Sequence, residues 1–209
     1  DDGLLLGGLD WSSAERAGLL AGGRRVINIV QSVRHAIPDD PRHRWLDRPA
    51  LRICVSEEIR DAVVATGRAR GPVCLIPNAI EDLSHLANPH GSRLHDVVIA
   101  GLKQPRLAGE VAGILARAGL SVDLLDRRYP HEEFIERLSS ARVGVTLPMR
   151  YEGAFTVPAS CMHLDVAVVC GDAPGIGQYC IDGVTALVAP PEAQALARAA
   201  IRLCREPEL

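Results

Sequence analysis

The stretch "LPMRYEGAFTVPASCMHLDVAVVCGDAPG", Leu147 to Gly175, decides the fold class. It opens like a strand and breaks into a glycine-containing loop at Glu152 and Gly153. It resumes as a short helix after Pro158 and ends in a second apolar strand. Strand, loop, helix and strand in so short a span describe one parallel crossover. The loop carries a lone carboxylate, Glu152, at the mouth of the sheet and just ahead of a helix start. Such a placement suits a hydroxylated, anionic ligand.

The same grammar extends in both directions. Apolar, β-branched runs recur at Leu4–Gly8, Arg25–Gln31, Leu51–Ser56, around Cys74, at Asp96–Gly101, Ser121–Asp126, Arg142–Pro148, Val166–Gly171 and Val184–Pro190. Several are continuous enough to be buried on both faces. Helical patterns lie between them. In "SEEIRDAVVATG", Ser56 is the N-cap, Glu57 and Glu58 fill the first turn, Ile59 and Val63 share a face, and Gly67 stops the helix. "PRLAGEVAGILARAG" follows the scheme with Pro105 near its start, Leu107, Val111 and Ile114 inward, and Gly119 after its last turn. "HEEFIERLSSA" and "PEAQALARAAIRLC" supply two more helices. This alternation predicts an α/β fold of parallel, doubly wound sheets joined by right-handed crossovers. The polar segment Glu81–Asp96 reads as a linker. Residues 1–88 then form a partial unit of about four strands, and residues 89–209 a second unit of five.

Composition narrows the function. Of 209 residues, 47% are hydrophobic, 23% charged and 3% aromatic, with a formal charge of -3, which argues against disorder and against a nucleic-acid partner. Six cysteines without a C-x-x-C pair read as buried, reduced thiols of a cytosolic protein. No run approaches the ~18 apolar residues of a membrane span. The opening "DDGLLLGGLDW" lacks the basic region of a signal peptide and has no initiator Met, so the expectation is a fragment or a processed product.

Ligands of open parallel sheets bind beyond the carboxyl ends of the strands. There "GLKQP", Gly101 to Pro105, runs from a strand straight into a helix. Lys103 therefore stands beside exposed backbone N–H groups and a positive dipole end, a place for phosphate, with Arg106 one turn deeper. A solvated surface lysine is the alternative. In "EGAF", Gly153 admits close backbone approach, the amides of Ala154 and Phe155 can donate, and Glu152 can accept from sugar hydroxyls. The loop "GDAPGIGQYC" lacks the full G-x-G-x-x-G of a dinucleotide site. His35, in the Arg- and His-rich segment Gln31–Arg48, has an intrinsic pKa suited to proton transfer. The remaining histidines show no metal-ligand spacing, so no metal and no cofactor is expected.

Taken in order, "RICVSEEIRDAV", "GPVCLIPNAIED", "VVIAGLK", "EGAFTVPASCMHLDVAVVCGD" and "DGVTALVAPPE" resemble the nucleotide-sugar glycosyltransferases of the GT-B fold, in particular the retaining, family-4-like group and a bacterial subgroup of it. The resemblance spans roughly Arg24 to Pro190. It implies two Rossmann-like units, the first incomplete, and a nucleoside-diphosphate sugar as donor. A glycan, lipid-linked or small-molecule acceptor would receive the sugar. The location would be cytoplasmic or peripheral to the inner membrane face. By resemblance Lys103 and the Gly101 loop contact the diphosphate, Glu152 the sugar hydroxyls, and the amides of Gly153, Ala154 and Phe155 the sugar. A second Glu of the family pattern, which binds the ribose, is Ser160 here. Losing that charged acceptor weakens nucleotide binding by about 1.5 to 3 kcal/mol. Ala79 stands where glycine is usual, and the second unit has one strand fewer than the pattern. The competing expectations are a catalytically lapsed binding or scaffold module and an unrelated α/β phosphate-binding domain.

Overall fold

The computed structural model describes residues 3–86, 93–153 and 155–206. The chain divides into two compact units, Asp1–Ala79 with Tyr151–Ala154, and Ile80–Arg150 with Phe155–Leu209. The division thus falls at Ala79–Ile80, ahead of the 88/89 boundary read from composition, and β5 already begins at His95 inside the expected linker.

The first unit holds a parallel sheet of β1 (Leu4–Leu6), β2 (Val26–Val30), β3 (Leu51–Cys54) and β4 (Val73–Leu75), in that spatial order. Helices α1 (Asp10–Arg16) and α2 (Glu57–Ala65) serve it, with 3-10 turns at Val33–Ala36 and His43–Asp47. Ser56 caps α2, its hydroxyl accepting from the Ile59 amide, and Gly67 adopts φ +64° just after the helix. Because strand order equals chain order, right-handed crossovers place every connection on one face. Leu6, Val30 and Cys54 are buried there with Trp11, Ile59 and Val63. The opposite face is apolar and, among the described residues, partly open: Leu5 is 65% and Ile27 38% exposed, and Cys74 is exposed too. The expected burial of Cys74 fails because β4 is an edge strand and its middle side chain points to that open face.

Arg52 lies on the covered face and is fully buried. Five carbonyls receive its guanidinium: Nη1 donates to Arg70 (2.6 Å) and Ala50 (3.3 Å), and Nη2 to Trp45 (3.0 Å), Leu46 (2.8 Å) and Arg48 (2.7 Å). One side chain thereby satisfies the backbone of the irregular segments leading into β3 and β4. Beside it the indoles of Trp11 and Trp45 stack with centroids 5.6 Å apart.

The second unit is a parallel sheet of β5 (His95–Ala100), β6 (Val122–Leu125), β7 (Ala141–Thr146), β8 (Ala167–Gly171) and β9 (Leu187–Ala189), ordered β6-β5-β7-β8-β9. Both faces are covered. Helices α3 (Pro105–Arg117) and α6 (Ala193–Arg205) pack on Val97, Ile99, Val143 and Val145. Helices α4 (His131–Ser139) and α5 (Val157–His163) pack on Val98, Val168 and Cys170. Arg93 closes the carboxyl ends of α4 and α5 together, donating to the carbonyls of Ser139 (2.5 Å), Leu164 (3.0 Å) and Asp165 (2.9 Å). The incoming segment is pinned by Leu83, buried in the α4–α5 core, whose amide donates to His163 Nε2 at 3.1 Å. Strand order reverses at β5, between β6 and β7. The carboxyl ends of these strands therefore diverge around a crevice.

Candidate functional site

A cavity of about 280 Å³ opens at that crevice, over the ends of β5 and β6. Lys103, Arg127, Arg128, Tyr129, Phe134 and Phe155 contribute to its wall. Each comes from a loop that leaves the sheet at a carboxyl end or from the helix that follows. Gly101 makes the turn from β5 into α3 possible: a Cβ there would lie 2.3 Å from the Ala108 Cβ. The Gln104 amide then closes the turn onto the Gly101 carbonyl (2.9 Å), and Gln104 Nε2 donates to the Pro148 carbonyl beyond β7. No side chain caps the amino end of α3, so its first turn presents a positive dipole end immediately after Lys103.

The cavity wall is cationic and aromatic. Lys103 Nζ stands 4.9 Å from the centroid of the Phe155 ring. Tyr129 is flanked by the guanidiniums of Arg127 at 5.2 Å and Arg137 at 4.4 Å. Arg137 is fixed in turn by Asp123, to which its Nε donates at 2.9 Å, and that bond raises its pKa. Three aromatic side chains, three cationic ones and an uncapped helix end can hold an anion attached to a flat group. Arg127, Arg128 and Tyr129 escape a sequence search for single motifs, but "DRRYP" directly after a strand was a readable signal.

The other candidates are placed variously. Arg106 points away, 93% exposed and paired with Glu110 at 3.1 Å along its own helix. Ser160 Oγ bonds back to the Thr156 carbonyl at 3.4 Å. Phe155 contributes its ring, buried in the α4–α5 core, to the wall. Glu152 and Gly153 fall in the stretch grouped with the first unit, where a Cβ on Gly153 would come 2.1 Å from the Gln31 carbonyl oxygen. Ala154 lies outside the described residues. His35 is 1% exposed in the first unit, with Nδ1 3.1 Å from the Ser32 carbonyl and Nε2 buried without a hydrogen-bond partner. Burial lowers its pKa and keeps it neutral. Among the described residues no group of three or more His, Cys, Asp or Glu side chains is arranged to hold a metal ion, and no helix is long and apolar enough to cross a membrane.

The comparisons agree with this architecture. The family model described as glycosyl transferases group 1 matches residues 60–206. Sucrose-phosphate synthase from Thermosynechococcus elongatus is similar at 18% identity and a TM-score of 0.73, over 98% of this chain and 65% of that one. The UDP-forming α,α-trehalose-phosphate synthase of Burkholderia vietnamiensis gives 12% and 0.68, over 97% and 63%. Anabaena HepE, solved in complex with UDP-glucose, gives 16% and 0.72, over 98% and 70%. The chain thus spans less than two thirds of the first two structures. No curated protein matches its sequence. With the family model covering most of its length and both sheets of the GT-B type in place, the chain belongs to the glycosyl transferases of group 1.

Proposed function

We propose that the second unit binds a nucleoside-diphosphate sugar and that the chain is part of a retaining glycosyltransferase acting on a glycan, lipid-linked or small-molecule acceptor. The observation carrying this is the cavity at the β5–β6 edge, where Lys103, Arg127 and Arg128 surround an uncapped helix end beside Tyr129 and Phe155. The cations and the α3 dipole suit a diphosphate, and the aromatic rings suit a base. The same cations stabilise the charge that develops on the diphosphate as the glycosidic bond breaks. Glu152 is proposed to accept from the sugar hydroxyls, with the backbone at Gly153, Ala154 and Phe155 seating the ring. Glu152→Gln then lowers transfer while leaving the melting temperature close to wild type; an unchanged rate rejects that role.

The test is a thermal-shift panel of UDP, GDP, dTDP and ADP, free and as sugar conjugates, with Lys103→Ala as control. Ligand at about 100 times its dissociation constant adds about 2.7 kcal/mol to stability. A base-selective shift, lost in Lys103→Ala, is the expected result. No shift with any nucleotide, from a cooperatively folded chain, rejects the donor site.

A second reading, a lapsed binding or scaffold module, draws on Ser160. Its hydroxyl is turned back onto the helix, and it lacks the charge of the carboxylate that the resemblance implies there. Nucleotide binding without donor hydrolysis or transfer distinguishes that module from an enzyme.

A further inference from the structure

One cationic side chain of the cavity wall stands at the end of a line of contacts that begins in the sheet. Asp123 lies on β6 in register with Val98 and is 9% exposed. It shares a sheet face with Leu125, two residues on, which is buried with Ile135 and Leu138 of α4. A carboxylate in that place requires a partner, and α4 provides it. Arg137 Nε donates to Asp123 Oδ2 at 2.9 Å and Nη2 donates to Oδ1, two parallel bonds that fix the plane of the guanidinium. Glu133, one turn earlier on α4, adds a looser contact at 3.8 Å. The Arg137 guanidinium stands 4.4 Å from the centroid of the Tyr129 ring, and the Arg127 guanidinium stands over the same ring at 5.2 Å. Tyr129 and the exposed Arg127 line the cavity, whereas Arg137 and Asp123 stand behind its wall.

We propose that Arg137 is a positioning residue: locked by Asp123, it holds the Tyr129 ring, and the ring holds Arg127 in the orientation in which its guanidinium meets an anionic ligand. The order of the contacts sets the direction of control. Asp123 is nearly buried, and parting the pair would strand its charge, so Arg137 is the fixed point. Tyr129, with few torsions of its own, settles on that fixed cation. Arg127 is long and exposed and has the most freedom to lose; a ring beneath it removes part of that freedom before any ligand arrives. Binding then requires less ordering. That the ligand is a nucleoside diphosphate rests on the function proposed above; the line of contacts itself does not.

The experiment uses the full 209-residue chain, and its first arm needs no ligand. Protons held over an aromatic ring are shifted upfield, so in NMR spectra the Arg127 Hδ and Hε resonances are expected upfield of those of the exposed Arg106. Tyr129→Phe keeps the shift and Tyr129→Leu abolishes it. Asp123→Asn together with Arg137→Met removes the ion pair whole, leaving no stranded carboxylate, and moves the Arg127 resonances toward the Arg106 position. The second arm titrates UDP, GDP, dTDP, ADP and inorganic pyrophosphate by calorimetry. The paired variant is expected to bind about two- to ten-fold more weakly than wild type. On an Arg127→Ala background the same two substitutions leave affinity unchanged, because their effect passes through Arg127. An equal loss on both backgrounds marks a merely structural role for α4 and overturns the proposal. So do Arg127 resonances that the paired variant does not move. If that variant fails to fold, Arg137→Lys, which keeps the charge but not the fork, is carried through both arms with the same expected directions. A wild type that binds none of the probes rejects the donor site, and the resonances alone then decide whether Arg137 positions Arg127.

Discussion

Lys103 Nζ stands over the ring of Phe155, 4.9 Å from its centroid, so a charge at the mouth of α3 is seated on an aromatic side chain rooted in the core. This links two loops far apart in sequence. The ring positions the ammonium, and the core positions the ring.

Phe155→Leu keeps most of the buried volume and removes the ring face. It is expected to weaken binding of whichever nucleoside diphosphate stabilises the wild type by a few-fold, about 0.5–1 kcal/mol. Isothermal titration reads it. A loss no greater than that of a surface substitution such as Arg106→Ala disproves the seating role.

Arg52→Met leaves the five carbonyls around Arg52 without their common donor. The first unit is expected to lose about 3 kcal/mol or more. Trp11 and Trp45 are the only tryptophans, and both lie in that unit, so their fluorescence in a urea titration reports its unfolding alone. An unchanged midpoint means the cage contributes nothing net.

His35 gives the first unit an acid-labile element. Burial lowers its folded pKa below the ordinary histidine value of about 6.5, so the unfolded chain binds the proton first. Stability is therefore full above about pH 6.5 and falls as pH drops through that value toward the folded pKa. His35→Gln flattens the slope of the tryptophan-detected midpoint as pH falls below about 6.5. Identical slopes in the two proteins refute the assignment.

Gly101→Ala forces a Cβ to within 2.3 Å of the Ala108 Cβ at the β5–α3 turn. A cost of about 1–3 kcal/mol in the second unit follows from that overlap. Far-UV circular dichroism during thermal unfolding measures it, and a silent substitution shows that the turn yields.

Much of this was legible because periodicity and punctuation agree. The strands at Val26–Val30, Leu51–Cys54, His95–Ala100 and Ala141–Thr146 coincide with apolar runs, and Ser56 and Gly67 bracket α2. Helix α1 was not, since "DWSSAER" is too short to display a helical period and follows two glycines. Nor was Arg52, which in "LRICVS" looks like an ordinary strand charge; its role arises from carbonyls brought in by segments distant in sequence. The cavity divides the same way. Lys103 is marked by its place between strand and helix, whereas Tyr129 matters because of Arg137, which α4 presents beside it.

The two sheets also differ in the history their connectivity imposes. In the four-stranded sheet each strand pairs with its immediate predecessor, so during synthesis every new strand finds its partner already in place. The five-stranded sheet grows otherwise. Its first strand β5 receives β6 on one edge and must keep the other open until β7 arrives, after α4 has been made. That waiting interval exposes an unpaired, apolar strand edge, and places the moment of greatest aggregation hazard in the synthesis of the five-stranded sheet rather than of the four-stranded one.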